Sequence, residues 1–296
     1  MPITLRLIHL YSFLEDCYNR ELEQECQRFS PNQYQEFTDV EILTCYFWGI
    51  LEDEKFKIKS IHSHISKYWL DWFPSLPGYV AFNTRLNRLS GVLPHLLNLV
   101  LQEFASSTSI DKDYLIDSFP IMLCKHKKGK VAPELADKTY SASKKLYYYG
   151  IKLHCLGIRQ EDKMPLPNYV TFTQASCHDS TPFKQILSHF NYCSIFGDKA
   201  YFGKEMTQIL NKQHCQLLHP IKKIKGEGQL NTYINQAHKN LWGKAVSTIR
   251  QPIECLFNWI IDKTDIQNAS KVRSTKGLLV HAYGKIIAAC LLTFGF

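Results

Sequence analysis

The sequence predicts an α/β fold: a mixed five-stranded sheet with flanking helices over residues 109–296, preceded by an all-α N-terminal domain over residues 1–108. Three observations predict it. Apolar residues recur at helical spacing through the N-terminal part of the chain. From about residue 109, short β-branched and aromatic runs take over, beginning with Tyr114-Leu-Ile-Asp117. These runs arrive as three adjacent strands, then helix, strand, helix, strand and a closing helix, an order that builds a layered domain. The chain has 296 residues, 45% hydrophobic and 13% aromatic, which excludes a disordered tail.

In order along the chain, Thr38-Asp39-Val40-Glu41 reads as a capping box, followed by an apolar run through Ile42, Leu43, Tyr46 and Phe47. A second helix is expected around Ile58 to Trp69, and Pro74 with Leu76-Pro77-Gly78 breaks the chain after it. A third begins near Tyr79 and turns Phe82, Leu86 and Leu89 inward, with Arg85 and Arg88 beside them. Short helices with basic residues on the last fit a helix-turn-helix module. They equally fit a small bundle that only supports the next domain.

Tyr114 to Asp117, Tyr147 to Ile158 and Tyr169 to Ala175 are the first strands, and they form an antiparallel meander because their links lack crossover helices. His178-Asp179 starts a helix through Phe183, Ile186 and Leu187, with Asp179 as its cap. Strand Cys193 to Phe196, a helix near Lys204 to Asn211, strand Gln216 to His219 and a long helix over about 244–263 follow. The apolar segment Gly277 to Phe296 contains His281 and Lys285 and places Leu278, Ala282, Ile286 and Ala289 on one helical face; it reads as a helix packed on the core. Arg6 and His9 interrupt the N-terminal apolar stretch, so no secretory signal is expected. Ten cysteines without a CxxC, among them Cys155 and Cys255 in apolar runs, read as reduced core thiols and exclude a zinc site.

The net charge of +8 is concentrated. Residues 120–150 carry seven lysines against two acids, and residues 222–244 carry five against one, so the remainder is slightly acidic. Two basic segments suit a polyanion bound at defined places, with Lys127, Lys128, Lys222 and Lys223 as candidate phosphate contacts. The plain alternative is a pair of solvated loops.

Three acids stand out by position. Asp117 ends the first apolar strand, Asp198 ends the fourth, and Glu254 lies in the final long helix. Ligands of open α/β sheets gather at the carboxyl ends of strands, where the first two acids could converge. On the long helix, Ile253, Leu256, Phe257, Ile260 and Ile261 make a buried stripe. At ~100° per residue, Glu254 and, one turn earlier, Arg250 fall on its margin. That is a costly place for charge unless it is paired or binds a metal; the alternative is a simple Arg250–Glu254 pair reaching solvent. Pro252 either kinks the helix or restarts it with Glu254 near a new N-terminus. Three carboxylates with no matching His or Cys form a hard oxygen site, suited to Mg²⁺ or Mn²⁺.

Five motifs in sequence carry a resemblance: Tyr114-Leu-Ile-Asp117-Ser118-Phe119-Pro120, Tyr149-Gly150-Ile-Lys152-Leu-His154, His178-Asp179-Ser180, Gly197-Asp198-Lys199-Ala-Tyr201 and Arg250-Gln-Pro-Ile253-Glu254-Cys-Leu-Phe257. Spread over about residues 114–260, they resemble a bacterial insertion-sequence transposase of the DDE type with a ribonuclease-H-like catalytic domain, in particular the insertion sequence 982 family. The resemblance implies that Asp117, Asp198 and Glu254 are the catalytic, metal-binding triad, served by two Mg²⁺ or Mn²⁺ ions, and that Arg250 supports the site. It implies cleavage of double-stranded DNA at element ends and strand transfer to a target, by a homodimer acting on the nucleoid in the bacterial cytoplasm, with no membrane partner. Some relatives carry a Tyr and a Lys where this chain has Ser247 and Ile261, so that fuller signature is incomplete; Ala200 stands at a usual Gly. Lys199 is a candidate phosphate contact. Lys152 and His154 alternate on one strand face and either meet DNA at the site or form the polar face of an antiparallel sheet. Two other functions share these features: a nuclease without strand transfer, and a transposase-derived DNA-binding protein without catalysis, against which the intact triad argues.

Overall fold

The computed structural model describes residues 2–27, 35–105, 113–126, 129–142, 144–201, 203–220 and 229–296. The chain divides into two compact units: Met1–Ser106 with Ile260–Phe296, and Ser107–Trp259. The C-terminal helices thus group with the N-terminal ones, whereas the sequence reading placed them with the sheet.

The first unit is helical: α1 (Ile3–Cys17), α2 (Glu23–Cys26), α3 (Asp39–Leu51), α4 (Ile58–Tyr68), α5 (Tyr79–Arg88) and α6 (Leu93–Ala105). α3 begins at the expected capping box, with the Thr38 hydroxyl accepting from the Glu41 amide and the Glu41 carboxylate accepting from the Thr38 amide. After Glu41 every residue of α3 is buried, as a helix apolar on all sides must be. One carboxylate is buried with it. Asp39 is 3% exposed and is held by Arg85 at 3.1 Å and by Arg88. Arg88 also donates to the Cys26 carbonyl at 2.9 Å. The two arginines of the possible helix-turn-helix are committed to an internal charge.

The last helices, α10 (Thr275–Leu279) and α11 (Lys285–Thr293), complete this unit. Leu278, Ala282, Ile286 and Ala289 are buried as their spacing predicts. The Thr275–Thr293 segment is long and apolar enough to cross a membrane, yet most of it is buried in the unit. Two of its polar residues are satisfied internally: Lys285 donates to the Asp265 carbonyl at 3.0 Å, and a ring nitrogen of His281 lies 2.7 Å from the Ile266 carbonyl. Burial pushes Lys285 down to about 8 and His281 down to about 3, so His281 is neutral at physiological pH.

In the second unit, β1 (Asp113–Lys125), β2 (Asp137–Ser141), β3 (Leu146–Ile158), β4 (Leu166–Gln174), β5 (Ser194–Phe196) and β6 (Gln216–Leu218) form one six-stranded mixed sheet in the ribonuclease-H-like manner. β3 pairs antiparallel with β1 along one side, and with β2 and β4 end to end along the other. β5 runs parallel to β1, and β6 parallel to β5. The expected meander of β1, β3 and β4 is present. β2 is an addition at the edge, in the polar run Asp-Lys-Thr-Tyr-Ser.

Helices α7 (Ser180–Gln185) and α8 (Lys204–Lys212) cover one face, where Ile116 and Leu156 pack with Phe183, Leu187, Met206 and Leu210. The other face meets α9 (Gln229–Thr264) through Phe119, whose ring centroid lies 4.8 Å from that of Phe257. α9 begins earlier than expected and runs unbroken through Pro252. Glu254 is therefore a mid-helix residue, and the restarted-helix alternative fails. Of the predicted stripe, Ile253, Leu256, Phe257 and Ile260 are buried, while Ile261 is only half-buried. All ten cysteines are free, but Cys255 is exposed, because it falls on the far side of α9 from that stripe.

Candidate active site

Asp117 is not at a strand end. β1 continues through Pro120 to Lys125, so Asp117 lies in its interior. The proline is tolerated because β5 pairs only Asp113 to Leu115; beyond that, β1 has no second neighbour among the described residues, and an absent N–H costs nothing. The same short pairing brings the acids together. Leu115 is opposite Phe196 in a parallel register, so Asp117 follows two residues later along β1 and Asp198 two residues later in the turn after β5. Each influences its neighbours electrostatically: Asp198 adds to a rise in Asp117 that burial begins and that takes it to about 6, while Arg250 works the other way.

Asp198 is fixed by its own turn. The Ala200 amide donates to its carboxylate at 2.7 Å, and the Tyr201 amide to its carbonyl at 3.2 Å. The turn needs Gly197, since a Cβ there would lie 2.9 Å from the Tyr201 ring. Tyr201 is 1% exposed and its hydroxyl has no hydrogen-bond partner among the described residues. The sequence marked Tyr201 only as part of a motif; its role as the wedge beneath the Asp198 turn depends on packing.

Glu254 is exposed rather than marginal, with 53% of its side chain accessible, and it does pair with Arg250, at 2.5 Å. The same guanidinium, 15% exposed, reaches Asp117 with its other nitrogen. Arg250 therefore bridges the first and third acids, and both carboxylates outweigh the effect of burial to raise its pKa. Among the described residues, no group of three or more side chains is drawn together as a preformed metal cage. The donor chemistry nevertheless suits a hard divalent cation: Asp117 and Asp198 are carboxylates close enough to interact electrostatically, and Glu254 is tethered to Asp117 by one arginine.

The remaining candidates fall into three groups. Lys152 and His154 lie on the face of β3 opposite to the one that meets Asp117, since Lys152 pairs with Pro120 and His154 with Ser118. Lys152 donates to Asp179 at 3.0 Å and to the Cys177 carbonyl at 2.8 Å. His154 is buried, 2.8 Å from the Thr173 hydroxyl, and burial pushes it down to about 4. Asp179 occupies the cap position of α7 but makes no capping bond, because its carboxylate is engaged by Lys152 and Ser118. Lys199 is exposed beside Asp198. Lys127, Lys128, Lys222 and Lys223 lie outside the described residues.

The profile of the transposase DDE domain matches residues 109–291, well over half of the chain. The chain belongs to the DDE transposase family. No curated protein and no solved structure matches it significantly. The transposase therefore acts on DNA, and its helical unit carries a lysine-lined surface. On α4, Ile61 and Ile65 are buried, while Lys59, Ser63 and Lys67 share the opposite side. With Lys55 and Lys57 they line a groove of about 940 Å³. The neighbouring acids are all taken: Glu52 by Arg6 at 2.9 Å, Asp53 by His64 at 2.5 Å, and Glu54 by Lys263 at 2.7 Å.

Proposed function

We propose that this transposase cleaves double-stranded DNA at the ends of an insertion sequence and joins the freed 3′ ends to a target, with Asp117, Asp198 and Glu254 as metal ligands. The observation that carries the reading is the β1–β5 register, two residues beyond whose last pair Asp117 and Asp198 both fall, together with Arg250 linking Asp117 to Glu254. Two Mg²⁺ or Mn²⁺ ions at these carboxylates would supply an activated water or 3′-hydroxyl and stabilise the leaving oxygen. Arg250 holds the helix-borne acid over the strand-borne one and, when the carboxylates turn to the metal, has its charge free for a phosphate. Lys199, next to Asp198, is placed for the same backbone. The five motifs favour an element of the insertion sequence 982 type, acting as a dimer on DNA in the bacterial cytoplasm. The test is incubation with labelled end duplexes and a plasmid target. Metal-dependent nicking with joined products is expected; nicking without joining would make the protein a nuclease, and binding without nicking a silent DNA-binding protein.

The helical unit binds the DNA ends in this reading, through the lysine face of α4 rather than through Arg85 and Arg88. Each lysine–phosphate pair removed should reduce the log–log salt dependence of duplex binding by about 0.9. Converting Lys57, Lys59 and Lys67 to Gln should therefore flatten the slope by roughly two to three units, measured by fluorescence anisotropy in a salt series. An unchanged slope would make this an ordinary solvated face.

A further inference from the structure

We propose that Asp179 is a positioning residue for the Asp117 carboxylate, acting across strand β1 through Ser118. The proposal rests on Asp117 being a metal ligand. Successive residues of a strand point to opposite faces, so Asp117 and Ser118 belong to different sides of the sheet. They are nonetheless joined. The Ser118 backbone amide donates to Asp117 Oδ1 at 2.8 Å, while the Ser118 hydroxyl donates to Asp179 Oδ1 on the other side at 2.7 Å. Lys152 Nζ donates to that same Asp179 oxygen at 3.0 Å and is itself anchored on the Cys177 carbonyl at 2.8 Å. His154, buried and neutral, has Nδ1 4.0 Å from the oxygen and closes the far side of the cluster.

Stability alone is a poor reason for this arrangement. A half-buried lysine–carboxylate pair, its side chains 17% and 27% exposed, carries part of the desolvation penalty of two ions and is a weak source of stability. Asp179 also forgoes the capping bond that its position at the start of α7 offers. What the arrangement does achieve is to fix Ser118 at both its hydroxyl and its amide, and hence the rotation of the Asp117 carboxylate that the amide holds. Hydrogen-bonded partners behind a ligating carboxylate set its orientation, and their loss costs about 10–100-fold in metal affinity or activity.

The experiment is a calorimetric titration of the full chain with Mn²⁺, with thermal unfolding of each variant as a control. Ser118→Ala and Asp179→Asn should each weaken Mn²⁺ binding by about 10–100-fold, and the double variant should be no worse than the weaker single one, because both cut one path. Ser118→Thr, which keeps the hydroxyl and the amide, should bind Mn²⁺ like the wild type. If Asp179→Asn fails to fold, Ser118→Ala breaks the same link from the opposite side. Wild-type Mn²⁺ binding that survives Ser118→Ala unchanged, or an additive loss in the double variant, overturns the relay alone. A wild-type chain that binds no Mn²⁺ overturns the metal reading and the relay together.

Discussion

Asp117→Ala should remain folded and bind duplex ends, yet cut them at least about 10³-fold more slowly, since a metal site contributes several kcal/mol of transition-state stabilisation. Burial takes Asp117 up to about 6, so removing its carboxylate relieves a desolvation cost even as it strands one arm of Arg250. Folding should therefore survive the change. Glu254→Gln tests the third acid more finely. It keeps shape and hydrogen bonding but removes the charge that a hard cation requires, and Glu254 is exposed, so the fold should not register the change. Asp262→Asn, on the exposed side of the same helix, and Glu227→Gln, outside the described residues, should both cut normally. Near-normal nicking by Glu254→Gln, with either of the other two inactive, would reassign the third position.

Asp39→Ala should be the most damaging single change to the helical unit. Removing one partner from a buried ion pair costs about 3–5 kcal/mol, because the charges left behind are no longer compensated. Here two guanidiniums, Arg85 and Arg88, would lose a carboxylate that is 3% exposed at the first turn of a fully buried helix. The melting temperature should fall by on the order of 10 °C, as read by circular dichroism. A fall of a degree or so would mean that the arginines re-hydrate freely and the cluster is incidental.

Local chemistry was legible in the sequence; long-range pairing was not. The Thr38–Glu41 box and the Ile253–Leu256–Phe257 stripe follow from spacing alone. The three acids could be nominated, and the motif order made the family recognisable. β2 was missed because Asp-Lys-Thr-Tyr-Ser is a polar edge strand without an apolar run. The first strand was cut short at Asp117 because Pro120 reads as a break unless one knows that β5 ends at Phe196. The roles of Arg85, Arg88, Lys152 and Asp179 were invisible for a shared reason: a charge looks the same in sequence whether it meets solvent, DNA or a partner far along the chain.

Gly150 has a consequence for how decaying copies of such an element are recognised. It sits in β3 opposite Met122, where a Cβ would land on the Ile121 carbonyl oxygen, part of the backbone and unable to yield as a side chain could. Any other residue there forces β1 and β3 apart along the strand that carries Asp117. A genomic copy can thus keep Asp117, Asp198 and Glu254 and still encode a protein that does not fold, so counting copies by the three proposed acids overcounts live elements. Screening the same copies for glycine at this position would separate lineages still under selection from those already drifting, without a single assay.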